Sequence, residues 1–488
     1  MENNKYPYRS LARLIIETVT PLAVSSGEKG LYTDSLVARD VNDLPYIPGT
    51  AVAGVVRHAI KESGLDDSFF GFAAGLDGKD GGRGSEILFS SAQMVDEKGN
   101  IVEGLVNPDS SPYLKLFKEE LPVRQHVCIN EFGVAKKHGK FDEEVVFKGT
   151  RFCFEIELLS SEKGNRNLVS VLSELSKDTI RVGGGTRKGF GEFKLVENEC
   201  KFAELDLNNA DDLNLYIRKT SSLNDGIWNS NCVHSLASLD MQRQETLWTE
   251  YKLILKPDDF FLFSSGFGDD EADIIPVTES FIDWSTGMPI LNKDAILIPA
   301  SSVKGAVAHR VAYHYNRLKK HYIDELSANN IPDLVKEGYL FPPDFDSTNQ
   351  NSWRKMLVEN NPAVSSLFGF SSQDEKLQQR GNVLVSDVIQ GRFNSGNKKI
   401  FNHISIDRFT GGGIDGALFS EKVVMERDVY VLVFKVNNKV LINEMVKNSF
   451  EEALFDLAQG LLPLGGGTNR GHGCFTGQLY KDSEEIKR

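Results

Sequence analysis

The chain repeats itself, and this constrains it more than any other feature, because a unit written twice must close two similar cores rather than one large one. The stretch YIPGTAVAG at 46–54 returns as LIPASSVKG at 297–305, an offset of 298 − 47 = 251. Phe69-Phe70-Gly71-Phe72 is echoed by Leu367-Phe368-Gly369-Phe370. GGGTRKGFGEF at 183–193 returns as GGGTNRGHGCF at 465–475, an offset of 465 − 183 = 282. Three matches in one order are not the work of chance.

Hydrophobic periodicity between these markers gives the same element order twice. Apolar strand candidates at Ala12–Val24 and Tyr251–Phe263 open the copies. A helix follows each, one from about Thr50 to Glu62, the other starting at Ser301 or Ser302, both good N-caps, and running towards His321. Strands then read at Glu86–Val95 and Val383–Ile389, and at Arg151–Leu158 and Val429–Val436. Second helices fit Leu168–Leu175 and Phe450–Leu461, and closing strands fit Phe190–Val196 and Cys474–Leu479.

Strand, helix, two strands, helix, strand is the ferredoxin-like order. The sequence therefore predicts an α+β protein of two tandem ferredoxin-like (RRM-like) βαββαβ units with long insertions. Each unit is a four-stranded antiparallel sheet with helices on one face and the other face free to bind. The units span 1–200 and 248–488, joined by a polar connector at 201–247 that carries a short helix around Asp211–Lys219. Insertions at about 96–149 and 390–427 interrupt both units between their second and third strands, and loops of that length are usually functional or disordered.

With 55 basic and 69 acidic side chains the formal charge is −14. That argues against a generally basic nucleic-acid coat protein but leaves room for a local basic groove. Cys128, Cys153, Cys200, Cys232 and Cys474 form no C-x-x-C pair, so free thiols are expected rather than a disulfide framework or a zinc site. MENNKYPYRSLARLIIETV lacks a signal-peptide core, and no apolar run approaches the roughly 18 residues that span a bilayer, so a cytoplasmic protein without membrane contact is expected.

Both glycine loops precede a strand, which sets them apart from dinucleotide fingerprints and P-loops, where the glycines open into a helix. Such loops let backbone N–H groups approach a phosphate, with Arg187, Lys188 and Arg470 able to add charge; the competing reading is a turn where a strand crowds a helix. The helix starts at Ile47-Pro48 and Ile298-Pro299 offer N–H groups and a positive dipole end, with Arg57, Lys304 and Arg310 nearby. Simple capping with solvent-facing charge reads them equally well. Ahead of each helix lies a loop carboxylate, Asp34 and Asp273, but Asp34 precedes Ile47 by 47 − 34 = 13 residues and Asp273 precedes Ile298 by 298 − 273 = 25, so their correspondence is loose. An Asp in a polar loop is by default a turn former.

Taken together, these segments resemble the RAMP-superfamily backbone subunits of type III CRISPR effector complexes, whose hallmark is a loop Asp, an I-P-G-S-S-x-K-G helix start and a C-terminal glycine-rich loop. Two such units in one chain look like the tandem fusions of subtype III-D. Ile406-Asp407-Arg408-Phe409-Thr410-Gly411 is similar to the family's I-D-R-x-T-G segment, with Asn130-Glu131-Phe132-Gly133 as its weaker echo. Ala51 and Ala53 depart from the usual Ser and Lys of the first helix start.

The resemblance implies RNA-guided RNA binding, in which base pairing supplies sequence choice and the protein reads shape. The insertions would act as thumbs that splay out a nucleotide of the target. A loop Asp would then hold a divalent metal, Mg²⁺ or another, or activate the 2′-hydroxyl, leaving a cyclic phosphate and a 5′-hydroxyl. Asp34 is the first candidate for catalysis and metal binding and Asp273 the second, with Asp269 and Asp270 as local alternatives. Contacts to RNA fall to Arg57, Gly183, Gly184, Gly185, Arg187 and Lys188, to Ser301, Ser302, Lys304 and Arg310, and to Gly465, Gly466, Gly467, Asn469 and Arg470. The partners implied are a CRISPR guide RNA, a target RNA and other type III effector subunits. Two alternatives stay open: a guide-processing endoribonuclease of the same superfamily, and a scaffold in which neither Asp acts.

Overall fold

A computed structural model describes residues 5–31, 33–73, 81–130, 132–239, 247–342, 344–370 and 378–488. Glu131 and the end of the expected connector, 240–246, lie outside the described residues. The first unit is built from β1 (Tyr8–Thr18), α1 (Gly49–Glu62), β2 (Ile87–Phe89), β3 (Arg151–Ser160), α2 (Asn167–Leu175) and β4 (Phe193–Leu195). The second repeats it with β5 (Trp248–Pro257), α3 (Ala300–Lys319), β6 (Val383–Val385), β7 (Tyr430–Asn437), α4 (Glu444–Ala458) and β8 (Phe475–Lys481). Both sheets are antiparallel with the ferredoxin-like order, β2-β3-β1-β4 and β6-β7-β5-β8.

Helical spacing explains which faces are buried. Val52, Val56 and Ile60 recur every four residues along α1, and Val303, Val307 and Val311 do the same along α3; all six are essentially inaccessible. Each packs into its own unit's core, and burying such a side chain contributes roughly 1.5–3 kcal/mol. Ser301 and Ser302 do not cap α3. The helix begins one residue earlier, at Ala300, whose N–H donates to Asp387 Oδ1 at 2.7 Å, so a carboxylate from a neighbouring loop fills the capping role.

The two sheets differ on the face away from the helices. Along β5 burial alternates, leaving Lys252 and Ile254 only half-buried. Along β1 both faces are buried, because Leu223, Ile227 and Trp228 of the connector pack against Ile15 and Leu11. The expectation of a free sheet face therefore fails in the first unit. Lys201–Asp206 pairs with β1 and Val233–Ser235 pairs in turn with Lys201–Asp206, extending the sheet, while Ala210–Arg218 is the expected short helix. Its N-cap is Asn209, whose side chain accepts from Asp211 N–H.

Each insertion between the second and third strands forms a hairpin: Val123–Ile129 with Ala135–Glu144 in the first unit, Lys398–His403 with Phe419–Met425 in the second. The second unit also has a hairpin before α3 (Thr278–Asp283 with Ile290–Ile298) and three short helices after it (Ile331–Lys336, Gln350–Glu359, Pro362–Phe368). The additional hairpin ties the units together: Trp284 Nε1 donates to Gly149 O at 2.7 Å, and the Arg151 guanidinium lies 4.0 Å from the Trp284 ring centroid. The five cysteines are free thiols. Among the described residues, no helix is long and apolar enough to cross a membrane.

Candidate nucleic-acid interface

The two loop aspartates occupy the same place in their units. Ser25 bridges to Val37 and Ser264 to Pro276, and in each pair the partners of the two units lie 239 positions apart, as Asp34 and Asp273 do (273 − 34 = 239). The unequal spacing to the helices is the hairpin Thr278–Ile298, inserted after this point. Both aspartates are exposed beside a hairpin and exchange hydrogen bonds with its return strand, Asp34 near the root of the first ladder and Asp273 near the far end of the second. Asp34 N–H donates to Asp142 Oδ1 at 2.8 Å, while Asp142 N–H donates to Asp34 Oδ2 at 3.2 Å. Asp273 N–H donates to Ser420 Oγ at 3.1 Å, and Asp273 Oδ2 accepts from Ser420 N–H at 2.8 Å and Ser420 Oγ–H at 2.9 Å. The Ser420 N–H and hydroxyl hold the Asp273 carboxyl below the usual carboxylate range. Of the local alternatives, Asp269 pairs with Lys422, which pushes it down to about 2. Asp270 is exposed.

The glycine loops wrap over the end of the first strand of each unit. Gly184 N–H donates to Ala23 O at 2.6 Å and Gly466 N–H to Leu262 O at 2.7 Å; Gly191 N–H donates to Pro21 O at 2.8 Å and Gly473 N–H to Phe260 O at 2.7 Å. These four amides are spent on the fold; Gly184 and Gly466 are the two of them expected to cradle a phosphate, and for these the turn reading accounts for the amide. Gly191 and Gly473 have φ of 81° and 77°, and a Cβ there would sit 2.1 Å from Val182 O and 1.9 Å from Leu464 O. Gly473→Ala is thus expected to destabilise the protein by at least about 2 kcal/mol, read from its denaturant midpoint.

Side-chain charge that could meet an anion is gathered by the fold at the junction of the units. Arg187 Nε donates to Gly381 O at 2.8 Å of the second unit and its guanidinium lies 5.8 Å from the Trp248 ring centroid. Burial, then the Arg380 and Arg181 charges, push it down to about 9. Lys304, one turn into α3, is pushed down to about 8 by burial and by the charges of Arg187 and Lys188. Lys304, at the helix start of the second unit, thus feels the charges of the first unit's glycine loop, which an anion would relieve.

The other expected contacts are distributed differently. Arg57 pairs with Asp67 at 2.9 Å, half-exposed at the start of a groove of about 350 Å³ lined by Gly49, Ala53 and Phe70. Arg310 pairs with Asp456 of α4 at 2.5 Å, beside the buried His314, and serves helix packing. Ser302 is exposed and Ser301 half-buried at the first turn of α3; Gly183, Gly185, Gly465, Gly467 and Asn469 lie along the loops, Gly185 against the Phe190 ring and Gly467 against the His472 ring. Asp407 is a turn former, accepting from Phe409 N–H and Thr410 N–H at 2.9 and 2.8 Å, and Asn130 does the same for Phe132 and Val134. That turn leaves Phe409 fully exposed at the hairpin tip, with Ile404 and Ile406 exposed beside it.

Among the described residues, no group of three or more His, Cys, Asp or Glu is arranged to hold a metal. Asp34 and Asp142 still offer two neighbouring carboxylates, and Mg²⁺ commonly takes one or two carboxylates and completes its shell with water and phosphate oxygens. The first unit fits that requirement; the second, with Ser420 in place of Asp142, offers one.

Sequence reasoning missed the residues that join the units. Arg124 lies between Glu279 and Asp387 (Nη2 to Oδ2, 3.0 Å), all three buried, and Arg181 donates to Val385 O at 3.0 Å and Ser386 Oγ at 2.8 Å. An isolated Arg on a predicted strand carries no signal of its partner, which here lies more than 150 residues away in the chain. It also missed Glu143 and Glu421, which meet the basic residues of the glycine loops: Lys188 Nζ lies 3.6 Å from Glu143 and Arg470 Nη2 lies 2.7 Å from Glu421.

No curated protein matches the chain. Among solved structures, one chain of the type III-B Cmr-beta cryo-EM structure of the apo state is 14% identical, with a TM-score of 0.30 over 39% of this chain and 98% of that one. A family model described as the RAMP superfamily matches residues 15–194 and 289–476, one span in each βαββαβ unit and together most of the sequence. The chain belongs to the RAMP superfamily.

Proposed function

We propose that the chain is a backbone subunit of an RNA-guided type III CRISPR effector, which grips guide RNA at its cationic junction and cuts complementary target RNA beside Asp34 and Asp273. The carrying observation is that both carboxylates sit exposed against the return strand of a hairpin at equivalent positions 239 residues apart, as two equivalent cuts require. The cluster of Arg187, Lys188 and Lys304 supports the grip, and base pairing supplies the sequence choice. The apolar tip around Phe409 has the character of a wedge that unstacks a base step.

A splayed nucleotide can place its 2′-oxygen in line with the 5′-oxygen that leaves. The 2′-oxygen bonds to phosphorus, the P–O5′ bond breaks, and the proton lost from the 2′-hydroxyl is balanced by one gained at the 5′-oxygen. Asp34 acts as the base or orients the hydroxyl, and Asp142 fixes the Asp34 backbone. Mg²⁺ held by Asp34 and Asp142 would neutralise charge on the phosphoryl oxygens.

Mapping the products of a complementary target RNA in the assembled complex tests this reading. Two cuts are expected, each with a cyclic phosphate and a 5′-hydroxyl. Target binding without any cut would leave only the scaffold role, and cleavage of free precursor by the isolated chain would favour guide processing.

A further inference from the structure

Behind each loop aspartate the two units reproduce one constellation that no linear motif announces. In the first, His126 stacks on Phe141 across the hairpin (centroids 4.8 Å apart, 16°), and in the second His403 stacks on Phe419 (4.7 Å, 25°). These are directly paired cross-strand positions in both hairpins. Two residues beyond each Phe stands a glutamate, Glu143 or Glu421. His126 Nε2 lies 2.9 Å from Glu143, at an angle outside directed hydrogen bonding, and His403 Nε2 lies 2.8 Å from Glu421. The same carboxylates meet Lys188 and Arg470, equivalent residues of the two glycine loops (470 − 188 = 282). Each cation also lies over the stacked Phe: Lys188 Nζ is 4.3 Å from the Phe141 centroid, and Arg470 Cζ is 5.9 Å from that of Phe419.

The carboxylates are buried while the cations reach outward. The Glu421 side chain is 1% exposed and the Arg470 side chain 38%; Glu143 and Lys188 stand at 13% and 39%. Burial alone would raise both carboxyls, yet the His and Lys or Arg contacts outweigh it and hold them below the usual range, so they stay ionised. A buried, ionised carboxylate bonded to one edge of a guanidinium fixes the side chain's direction and leaves its other N–H groups outward. A chance ion pair would not recur at the same four positions of two units that differ around it.

We propose that Glu143 and Glu421 are positioning residues that aim Lys188 and Arg470, each at a phosphodiester of the single-stranded guide RNA lying across its unit. This inference rests on the RNA-binding reading above and adds to it the residues that set the geometry of the contact. The histidine and phenylalanine of each set fix the carboxylate from behind. In the second unit His472 Nε2, 3.2 Å from Glu421, adds a further contact.

A double-mutant cycle on the full chain tests this, with a fluorescein-labelled, unstructured single-stranded RNA long enough to span both units as the probe. Arg470→Ala is expected to weaken binding several-fold and to lower the salt slope by about one phosphate contact. Glu421→Ala should do nearly the same, and adding it to Arg470→Ala should lose nothing more. Glu421→Gln, which keeps an acceptor for the guanidinium, should restore most of the binding, and if Glu421→Ala unfolds the cycle is read on Glu143→Ala and Lys188→Ala instead. Glu143 and Lys188 should behave as a second, independent pair. Additive losses, or tighter binding on removal of Glu421, overturn the inference while leaving RNA binding intact. A wild-type chain whose RNA binding is absent or insensitive to salt overturns the RNA-binding reading itself.

Discussion

Asp34→Ala in the assembled complex is expected to abolish one of two target cuts, slowing it by at least about a hundredfold, the lower end of what a positioned acid–base group contributes. The cut beside Asp273 should persist, and target binding should stay within about twofold, because the Asp34 carboxylate is exposed and, among the described residues, accepts its hydrogen bond from Asp142 N–H. Asp273→Ala should give the complementary pattern. Its effect should be smaller, since Asp273 Oδ2 already accepts two hydrogen bonds from Ser420, which lower its basicity below that of an ordinary carboxylate. Single-turnover product mapping separates the cuts. Should both persist undiminished in both variants, the aspartates are turn formers and the chain is a scaffold.

Arg124→Ala is expected to destabilise the junction by about 3–5 kcal/mol, the range for removing one partner from a buried ionic cluster. Arg124 is 6% exposed, Glu279 2% and Asp387 1%, so the variant leaves two buried carboxylates without the guanidinium that pairs with both. Burial opposes the Arg124 charge, but Glu279 and Asp387 outweigh it and raise its pKa. Burial raises the Glu279 carboxyl even with Arg124 in place. Without Arg124, Glu279 would bind a proton more tightly when folded than when unfolded. That contribution is present below the unfolded carboxyl range and fades as the pH climbs through the folded pKa, so the variant should be relatively more stable near pH 5 than near pH 8. Calorimetry should show the single transition splitting as the units come apart, and proteolysis should begin between them. An unchanged midpoint at pH 8 would show that the triad does not join the units.

Much of the fold was legible because it rests on local periodicity and on repetition. Both βαββαβ orders, the helices α1 and α3 and the place of the insertions follow from side-chain spacing, which needs no knowledge of distant partners, whereas the hairpins inside the insertions emerged only from the structure. The covered face of the first sheet was not legible, because Trp228 and Leu223 sit in a stretch that reads as a polar linker and gain their meaning only from the strand they reach. The N-cap of α3 failed for the same reason: two serines in the right place lose to Asp387, a stronger acceptor delivered by a loop 87 residues on.

At the interface the division is sharper. The sequence by itself determined that there are two units, two loop aspartates and two glycine loops with a basic residue in each, since these are identities at repeated positions. Only the tertiary structure decided that Asp34 and Asp273 are equivalent, because their spacing to the helices differs by a hairpin that leaves their own strand register untouched. It also decided which cations remain available and which are spent. Arg310 and Arg57 are held by Asp456 and Asp67 and Lys188 meets Glu143, whereas Arg187 and Lys304 come together across the junction. Charge acts through space over a few ångströms, and a linear sequence carries no measure of that distance.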